Sequence, residues 1–171
     1  METQRPSYLK KKVLLFVLLA FLIIIPVLWM LKQNERGPQD FSLTDLNGNT
    51  FRLSDFKGKI VVVEFMATWC IYCRQQISYY EEVWKEYADK AVLIIIDIDA
   101  SEPEHLLREF ADHFSHPDWI WAKDTANLVK SYTVTGIPKT IIFDQNGYVR
   151  YSHTGLMSPS AFKEMINQLL D

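Results

Sequence analysis

The sequence predicts an α/β fold in which a mixed central sheet is flanked by helices, with a β-hairpin extension and a single transmembrane helix at the N-terminus. Apolar runs of strand length alternate with segments whose apolar side chains recur every three or four residues, which is typical of α/β domains. An Asn-Gly pair inside an alternating polar and apolar stretch predicts the hairpin. A long uncharged apolar run near the N-terminus predicts the membrane helix.

The N-terminal apolar run, residues 13–31, reads VLLFVLLAFLIIIPVLWML. A helix of this length spans about 28 Å, close to the thickness of the hydrocarbon core of a bilayer. A cleavable signal peptide is the alternative, but its apolar region would be shorter and would end in small residues. The following KQNERGPQD has no such cleavage site. We therefore expect an uncleaved anchor at 13–31, after a basic segment at 1–12 and before a linker at 32–39.

Charge predicts how the anchor is oriented. Basic side chains flank the run unequally: Arg5, Lys10, Lys11 and Lys12 precede it, and Lys32 and Arg36 follow it. Positive flanks stay in the cytoplasm, so we expect a single-pass protein of the cell membrane with a cytoplasmic N-terminus. The domain at 40–171 would then be extracytoplasmic. Beyond residue 37 the chain has 12 basic and 19 acidic side chains, and this acidic balance argues against nucleic acid as a partner.

The first half of the domain contains the hairpin, two strands and a helix. Residues 41–53, FSLTDLNGNTFRL, alternate in polarity around Asn-Gly and predict two short antiparallel strands. The runs IVVVEFMA (60–67) and AVLIIIDID (91–99) are apolar throughout and predict buried strands. Between them, apolar side chains at helical spacing predict a helix from Cys70 to about Ala88.

Shorter elements follow in the second half. In chain order they are a helix at 102–114, a short strand or loop at 118–124, a short helix at 125–132, strands at 138–144 and 148–153, and a helix at 158–171. The last helix begins with Ser158 as the N-cap and Pro159 at the first helical position. Interleaved strands and helices followed by a hairpin and a helix imply a mixed sheet with helices on both faces.

Cys70 and Cys73 are the two cysteines of the chain, and both lie at the predicted start of the first helix. The first turn of a helix has unpaired N–H groups and a partial positive charge, which would stabilise a thiolate at Cys70. Cys73 lies one turn further on the same face, close enough for a disulfide. We expect Cys70 to attack a partner and Cys73 to resolve the mixed disulfide.

Two other interpretations of the pair stay open. A metal site would need two more ligands, because two cysteines alone do not complete one. The four histidines, His105, His113, His116 and His153, have no suitable spacing to the pair and are expected at the surface. A four-thiolate site shared between two chains, or two inert buried thiols, are the remaining alternatives.

Glu64 lies six residues before Cys70, inside a run that otherwise predicts burial. A lone buried carboxylate costs several kcal/mol if it stays charged, so we expect Glu64 to be neutral or paired. A raised pKa would suit it to proton transfer at Cys73, which must be deprotonated to resolve a mixed disulfide. The alternatives are an exposed strand end or a salt bridge to a lysine.

Two stretches resemble a known family. VVVEFMATWCIYCRQQ is similar to the active-site strand, turn and helix of the thioredoxin superfamily, and VTGIPKTIIFDQNGYV resembles its second motif. The resemblance implies a thioredoxin fold, a cis peptide bond between Ile137 and Pro138, and a substrate groove formed by Trp69, Ile137 and Pro138. It also implies that the backbone just before Pro138 pairs with the substrate as an added strand.

The hairpin, the helix near 102–114 and the N-terminal anchor resemble the membrane-anchored TlpA/ResA-like branch of that superfamily. This resemblance implies an extracytoplasmic thiol–disulfide oxidoreductase with protein substrates. A reductant in cytochrome c or copper-protein maturation is the expected role. No cofactor beyond the Cys70–Cys73 disulfide is expected. The partner would be a membrane or extracytoplasmic electron donor or acceptor.

The dipeptide Ile71-Tyr72 departs from the branch, in which a proline is common between the cysteines. Because this dipeptide tunes the redox potential, a disulfide-forming oxidant stays an alternative. A copper-handling module that binds through both cysteines and an adaptor with idle cysteines are the other rivals. A peroxidase is disfavoured, since Thr68 is two residues before Cys70 and the Thr-x-x-Cys arrangement is absent. Glu64 also departs, because an amide is frequent at this position in the branch.

Overall fold

The chain divides into two compact units, Met1–Gly37 and Pro38–Asp171. The computed structural model describes residues 12–13, 17, 20–22, 24–26, 40–114 and 116–170. The described residues of the first unit are helical. A search of the described residues finds no helix with the length and apolarity that crossing a membrane requires. Most of the predicted anchor at 13–31, almost all of 1–12 and all of 32–39 lie outside the described residues, so these assignments stay predictions.

The second unit, as far as it is described, contains seven strands and four helices. The strands are β1 (Ser42–Thr44), β2 (Thr50–Arg52), β3 (Ile60–Met66), β4 (Ala91–Asp97), β5 (Ile120–Lys123), β6 (Lys139–Phe143) and β7 (Val149–Thr154). The helices are α1 (Ile71–Val83), α2 (Glu104–Asp112), α3 (Leu128–Ser131) and α4 (Pro159–Leu170). Each one lies where the sequence predicts an element, and the segment left open between strand and loop is strand β5.

The first helix ends earlier than predicted. It stops at Val83, and a 3₁₀ turn over Trp84–Glu86 follows it. The expectation of a helix to about Ala88 was therefore wrong at its C-terminal end. A 3₁₀ turn repeats every three residues, so the apolar spacing continues through Trp84 and Tyr87 without showing where the α-helix stops.

The main sheet has the strand order β5-β4-β3-β6-β7. The β3–β4 and β4–β5 pairs are parallel, and the β3–β6 and β6–β7 pairs are antiparallel, so the sheet is mixed as predicted. The hairpin β1–β2 is a separate two-stranded sheet. It contacts the edge of the main sheet through a bridge between Asp45 and Ala122 and a hydrogen bond from Leu46 N–H to Trp121 C=O (2.9 Å).

The central strand β3 packs on both of its faces, because all seven of its residues are buried. Ile60, Val62 and Met66 contribute to a core with α1, α2 and α4. The alternate residues of β3 contribute to a second core with the hairpin and α3. Strand periodicity therefore places Glu64, between Val62 and Met66, on the face that α1 covers.

The functional segments meet at one end of the central strands of the main sheet. Strand β3 ends there and leads through a short turn into α1. The antiparallel strand β6 begins at the same end, where Lys139 pairs with Phe65. This places Pro138 there as well. Strand β7 ends beside the start of β6, where Thr154 pairs with Lys139. Gly155 N–H then donates to Pro138 C=O (2.8 Å).

Candidate active site

The two cysteines form a disulfide at the N-terminus of α1. Cys70 is the N-cap residue, and its Sγ accepts a hydrogen bond from the Cys73 backbone N–H (3.1 Å). Cys70 is 7% exposed, whereas Cys73 is fully buried. In the dithiol state the same N–H group and the helix dipole favour a thiolate at Cys70. The cysteine that keeps some solvent exposure is therefore also the one that its surroundings activate.

Three large side chains surround Cys70 and are largely exposed. Trp69, Ile71 and Tyr72 expose 68%, 75% and 60% of their surface. The Trp69 ring is held in place, because its Nε1 donates to the Asp99 carboxylate (2.9 Å). Exposed apolar side chains clustered around a reactive group are typical of a contact surface for another protein.

The peptide bond between Ile137 and Pro138 is cis, which confirms the prediction from the resemblance. Pro138 is buried and Ile137 is partly exposed. The Ile137 side chain packs against both hydrophobic cores. Within the described part of the chain its backbone N–H and C=O have no hydrogen-bond partner, so they are free to pair with an extended segment of a substrate.

Glu64 is completely buried, as the sequence predicts. Its Oε2 accepts hydrogen bonds from the Tyr80 hydroxyl (2.8 Å) and the Thr140 hydroxyl (2.9 Å). Burial raises the pKa of Glu64 to about 7, although the two hydroxyl donors act in the opposite direction. The alternatives of an exposed strand end and a lysine salt bridge were wrong: no described cation contacts Glu64, and two neutral hydroxyls are its partners.

A lysine-centred network fixes the loop that follows β4. Lys123 Nζ donates to the Asp97 carboxylate (2.9 Å), to Asp99 C=O (3.0 Å) and to Glu102 C=O. The Glu102 carboxylate in turn accepts from Thr68 N–H (3.2 Å) and from the Thr68 hydroxyl. Hydrogen bonds from Ser101 and Trp69 lower the pKa of Asp99 to about 2. Through Asp99 and Glu102, this loop thus holds the turn that precedes Cys70.

Gln76 links α1 to the segment after β7. The side chain is fully buried, and its Oε1 accepts from Met157 N–H (2.6 Å) while its Nε2 donates to Met157 C=O (3.2 Å). One side-chain amide thereby satisfies both the backbone N–H and the backbone C=O of Met157. This pairing fixes the segment after Gly155 against the helix that carries the cysteines.

The described residues contain no cluster of three or more His, Cys, Asp or Glu side chains that could hold a metal ion. His105 and His113 are exposed, and His116 and His153 are partly exposed. The ring of His116 stacks on Trp119 at a centroid distance of 4.2 Å. The histidines are thus placed as surface or packing residues.

The site residues that the sequence suggested lie where β3 ends and β6 begins, or in the core next to that end. The participants that the sequence analysis missed include Gln76, Tyr80, Thr140 and Lys123, together with Asp97, Asp99 and Glu102. Tyr80 is one of the helix-spaced apolar side chains from which the sequence predicts the first helix. Its hydroxyl at a core position was the available signal, because a buried tyrosine usually needs a hydrogen-bond partner. The polar side chain of Gln76, four residues before Tyr80 on the same helix face, was a second signal.

The chain is similar to a protein family, to named relatives and to solved structures. The model of the AhpC/TSA family matches residues 36–152. The thioredoxin-like protein YneN of Bacillus subtilis is 35% identical over 144 residues, which are 82% of this chain and 80% of that protein. The thiol-disulfide oxidoreductase ResA of Geobacillus kaustophilus is 34% identical over 119 residues, which are 70% and 68% of the two chains. The exposed lipoprotein thioredoxin of Streptococcus pneumoniae superposes with a TM-score of 0.67 and 27% identity, covering 77% of this chain and 100% of that one.

Proposed function

We propose a function that proceeds from the family: this chain belongs to the AhpC/TSA family and is a thiol–disulfide oxidoreductase of the thioredoxin-like, ResA-like type. Within that class, it acts as a membrane-anchored reductant of protein disulfides outside the cytoplasm. The observation that carries this proposal is the disulfide at the start of α1, in which Cys70 is 7% exposed and Cys73 is fully buried.

The reaction needs only the two cysteines as electron carriers. The Cys70 thiolate attacks a substrate disulfide, so that one substrate sulfur bonds to Cys70 and the other leaves and takes up a proton. Cys73 then loses its proton, attacks Cys70 Sγ and releases the second substrate thiol. Two electrons pass to the substrate, and the Cys70–Cys73 disulfide is the product. We assign the proton of Cys73 to Glu64, and we propose that no further cofactor takes part.

Substrate binding uses the surface around Cys70. An extended segment of the substrate would pair with the backbone of Ile137, beside the buried Pro138, as an added strand. Side chains flanking the substrate cysteine would contact Trp69, Ile71 and Tyr72, which are exposed and largely apolar. Protein disulfides that must be reduced to thiols before a cofactor or copper is inserted, such as those of cytochrome c, fit this description. Each turnover then needs a membrane or extracytoplasmic electron donor.

The redox potential of the Cys70–Cys73 couple tests the direction of electron flow. We expect a value at or below about −220 mV, in the range of glutaredoxins and thioredoxin, which a reductant requires. Equilibration of the protein with thiol–disulfide buffers measures it. A potential near about −120 mV would contradict the proposal and make the protein an oxidant. Tyr72→Pro, in the first turn where proline is tolerated, should change the potential if the intervening dipeptide sets it.

Localisation has its own test. We propose that residues 13–31 anchor the chain with its catalytic domain outside, on the basis of their apolarity and of the basic residues that precede them. The name of the pneumococcal relative, an exposed lipoprotein thioredoxin, agrees with this placement. A protease added to spheroplasts should degrade residues 40–171 while a cytoplasmic marker stays intact. Complete protection of the domain would reverse the orientation.

A further inference from the structure

Three oxygen atoms form a closed triangle beneath the cysteine pair. The Tyr80 hydroxyl lies 2.8 Å and the Thr140 hydroxyl 2.9 Å from Glu64 Oε2, and the two hydroxyls are 2.9 Å apart. Thr140 occupies this position because it is the register partner of Glu64 across β3 and β6. The other carboxyl oxygen, Oε1, is buried and has no hydrogen-bond partner in the described part of the chain.

The hydrogens of the triangle decide which oxygen of Glu64 can exchange a proton. The two hydroxyls supply two hydrogens, and both can be donated to Oε2 whether Glu64 is ionised or neutral. We propose that Tyr80 and Thr140 are positioning residues: both donate to Oε2, and they leave Oε1 as the oxygen that exchanges a proton with Cys73. The network then keeps one arrangement while the proton moves. This inference rests on the role proposed above for Glu64.

The geometry of α1 places Cys73 on the correct side of the carboxyl. Cys73 and Tyr80 are seven residues apart, almost two turns, and therefore lie on one face of the helix. Both belong to the core that covers the Glu64 face of the sheet. Helical side chains tilt toward the N-terminus, so the Tyr80 hydroxyl lies nearer to Cys73 than its own backbone does. Glu64, which accepts a hydrogen bond from that hydroxyl, therefore lies under the helix face that carries Cys73.

Apart from burial, the two hydroxyls are the groups that act directly on the carboxyl of Glu64. Across the β3–β4 pair its register partner is Ile95, and α4 presents Phe162 and Ile166 to this core, none of which titrates. Among the described residues, the titratable groups on this side of the sheet include Cys70, Cys73, Tyr80, Tyr87, Asp97, Lys123, Tyr151 and His153. Asp97 and Lys123 neutralise each other at the ends of β4 and β5. His153 lies beyond Thr140, as its register partner on β7.

The first measurement follows Glu64 itself. The full chain, oxidised and labelled with ¹³C at the glutamate side-chain carboxyl, is titrated by NMR, and the signal that Glu64→Gln removes is that of Glu64. We expect Tyr80→Phe and Thr140→Val to raise the pH at which Glu64 ionises, because each removes a donor to the ionised form. Thr140→Ser retains the hydroxyl and should titrate as the wild type. Tyr80→Phe keeps the ring that packs against Phe162 at 5.0 Å.

The second measurement follows resolution of a mixed disulfide. Reduced protein is mixed with oxidised glutathione between pH 5 and 9, and release of the Cys70-bound glutathione is followed by rapid quenching. If Tyr80→Phe moves the Glu64 transition up by one pH unit, release should be about tenfold slower at pH 6 and unchanged at pH 9. In a Glu64→Gln background, Tyr80→Phe should have no further effect on the pH profile. His153→Gln should leave the wild-type profile intact.

The outcomes separate this inference from the function on which it rests. One outcome is that Glu64→Gln slows release, while Glu64 in the Tyr80→Phe and Thr140→Val variants ionises at the wild-type pH or below it. The positioning role is then overturned, while Glu64 keeps its proton role. A downward shift would place the proton on Oε2, within the triangle. If Glu64→Gln releases glutathione as fast as the wild type, the proton role of Glu64 fails, and this inference fails with it.

Discussion

Replacing Cys73 with alanine is expected to turn the protein into a covalent trap for its substrates. Cys70 would still attack a substrate disulfide, because its exposure and its place at the N-cap of α1 do not depend on the second sulfur. Without Cys73 nothing resolves the mixed disulfide, so turnover should fall by at least about a thousandfold while adducts accumulate. Purification from native membranes followed by non-reducing electrophoresis and mass spectrometry of the adducts measures this result.

Cys70→Ala is the matched control for the trap. It removes the attacking sulfur and leaves Cys73, which is fully buried, so it should form no adducts and show no turnover. Adducts through Cys73 in this variant would show that the buried sulfur is accessible, and the two cysteines would exchange roles. An empty Cys73→Ala trap in native membranes would instead count against an enzyme that acts on protein disulfides and would favour idle cysteines.

What the sequence predicted well lies within short segments of the chain. Cys70 and Cys73 are one helical turn apart, and Glu64 lies in the strand that leads into that helix, so their proximity follows from local geometry. Apart from the end of the first helix, the strand-like and helical segments were also placed correctly, since their periodicity depends on neighbouring residues. Pro138 is distant in sequence, and it was assigned to the site only because its surrounding motif resembles a family motif.

What could not be predicted depends on pairing across long stretches of chain. Glu64 and Thr140 are 76 residues apart, and Gln76 and Met157 are 81 residues apart. Neither contact follows from spacing, because each requires the register of β3 against β6 or the placement of the segment after β7. The sequence therefore predicted that Glu64 is neutral or paired, and a salt bridge to a lysine was one of the alternatives. The register supplied a threonine, and the helix supplied a tyrosine.

Neutral hydroxyl partners, in place of a lysine, leave the pKa of Glu64 raised. A cation beside Glu64 would keep the carboxylate ionised and its pKa low. Two neutral hydroxyls stabilise the ionised form less, so burial dominates and the pKa of Glu64 rises to about 7. A carboxyl that is half ionised near neutral pH can both accept and return a proton, which the forward and reverse exchange at Cys73 require.

The same burial predicts a large pH dependence of stability that Glu64→Gln should remove. The pKa of Glu64 is about 7 in the folded protein and 4.5 when unperturbed, so between these values the folded state binds more protons than the unfolded state. The stabilising contribution of the neutral carboxyl is complete below about pH 4.5 and is lost as the pH rises through 7. The gap corresponds to about 3 kcal/mol of unfolding free energy.

The expected result is a difference between two stability curves. Urea unfolding of the oxidised protein from pH 4 to 8 should show that the wild type loses about 3 kcal/mol relative to Glu64→Gln. The glutamine can accept from Tyr80 and Thr140 through its carbonyl oxygen. Its amide group then takes the place of Oε1, at a cost that does not vary with pH. Other shifted carboxyls, such as Asp97 and Asp99, titrate in both proteins and cancel in the difference.

Glu109→Gln is the matched control, because Glu109 is an exposed residue of α2 and its substitution removes the same charge. Its curve should stay nearly parallel to that of the wild type across the whole range. Parallel curves for Glu64→Gln as well would mean that Glu64 is ionised at low pH in the folded protein. It would then need a stabilising partner beyond the two hydroxyls, and the explanation of its raised pKa by burial would fail.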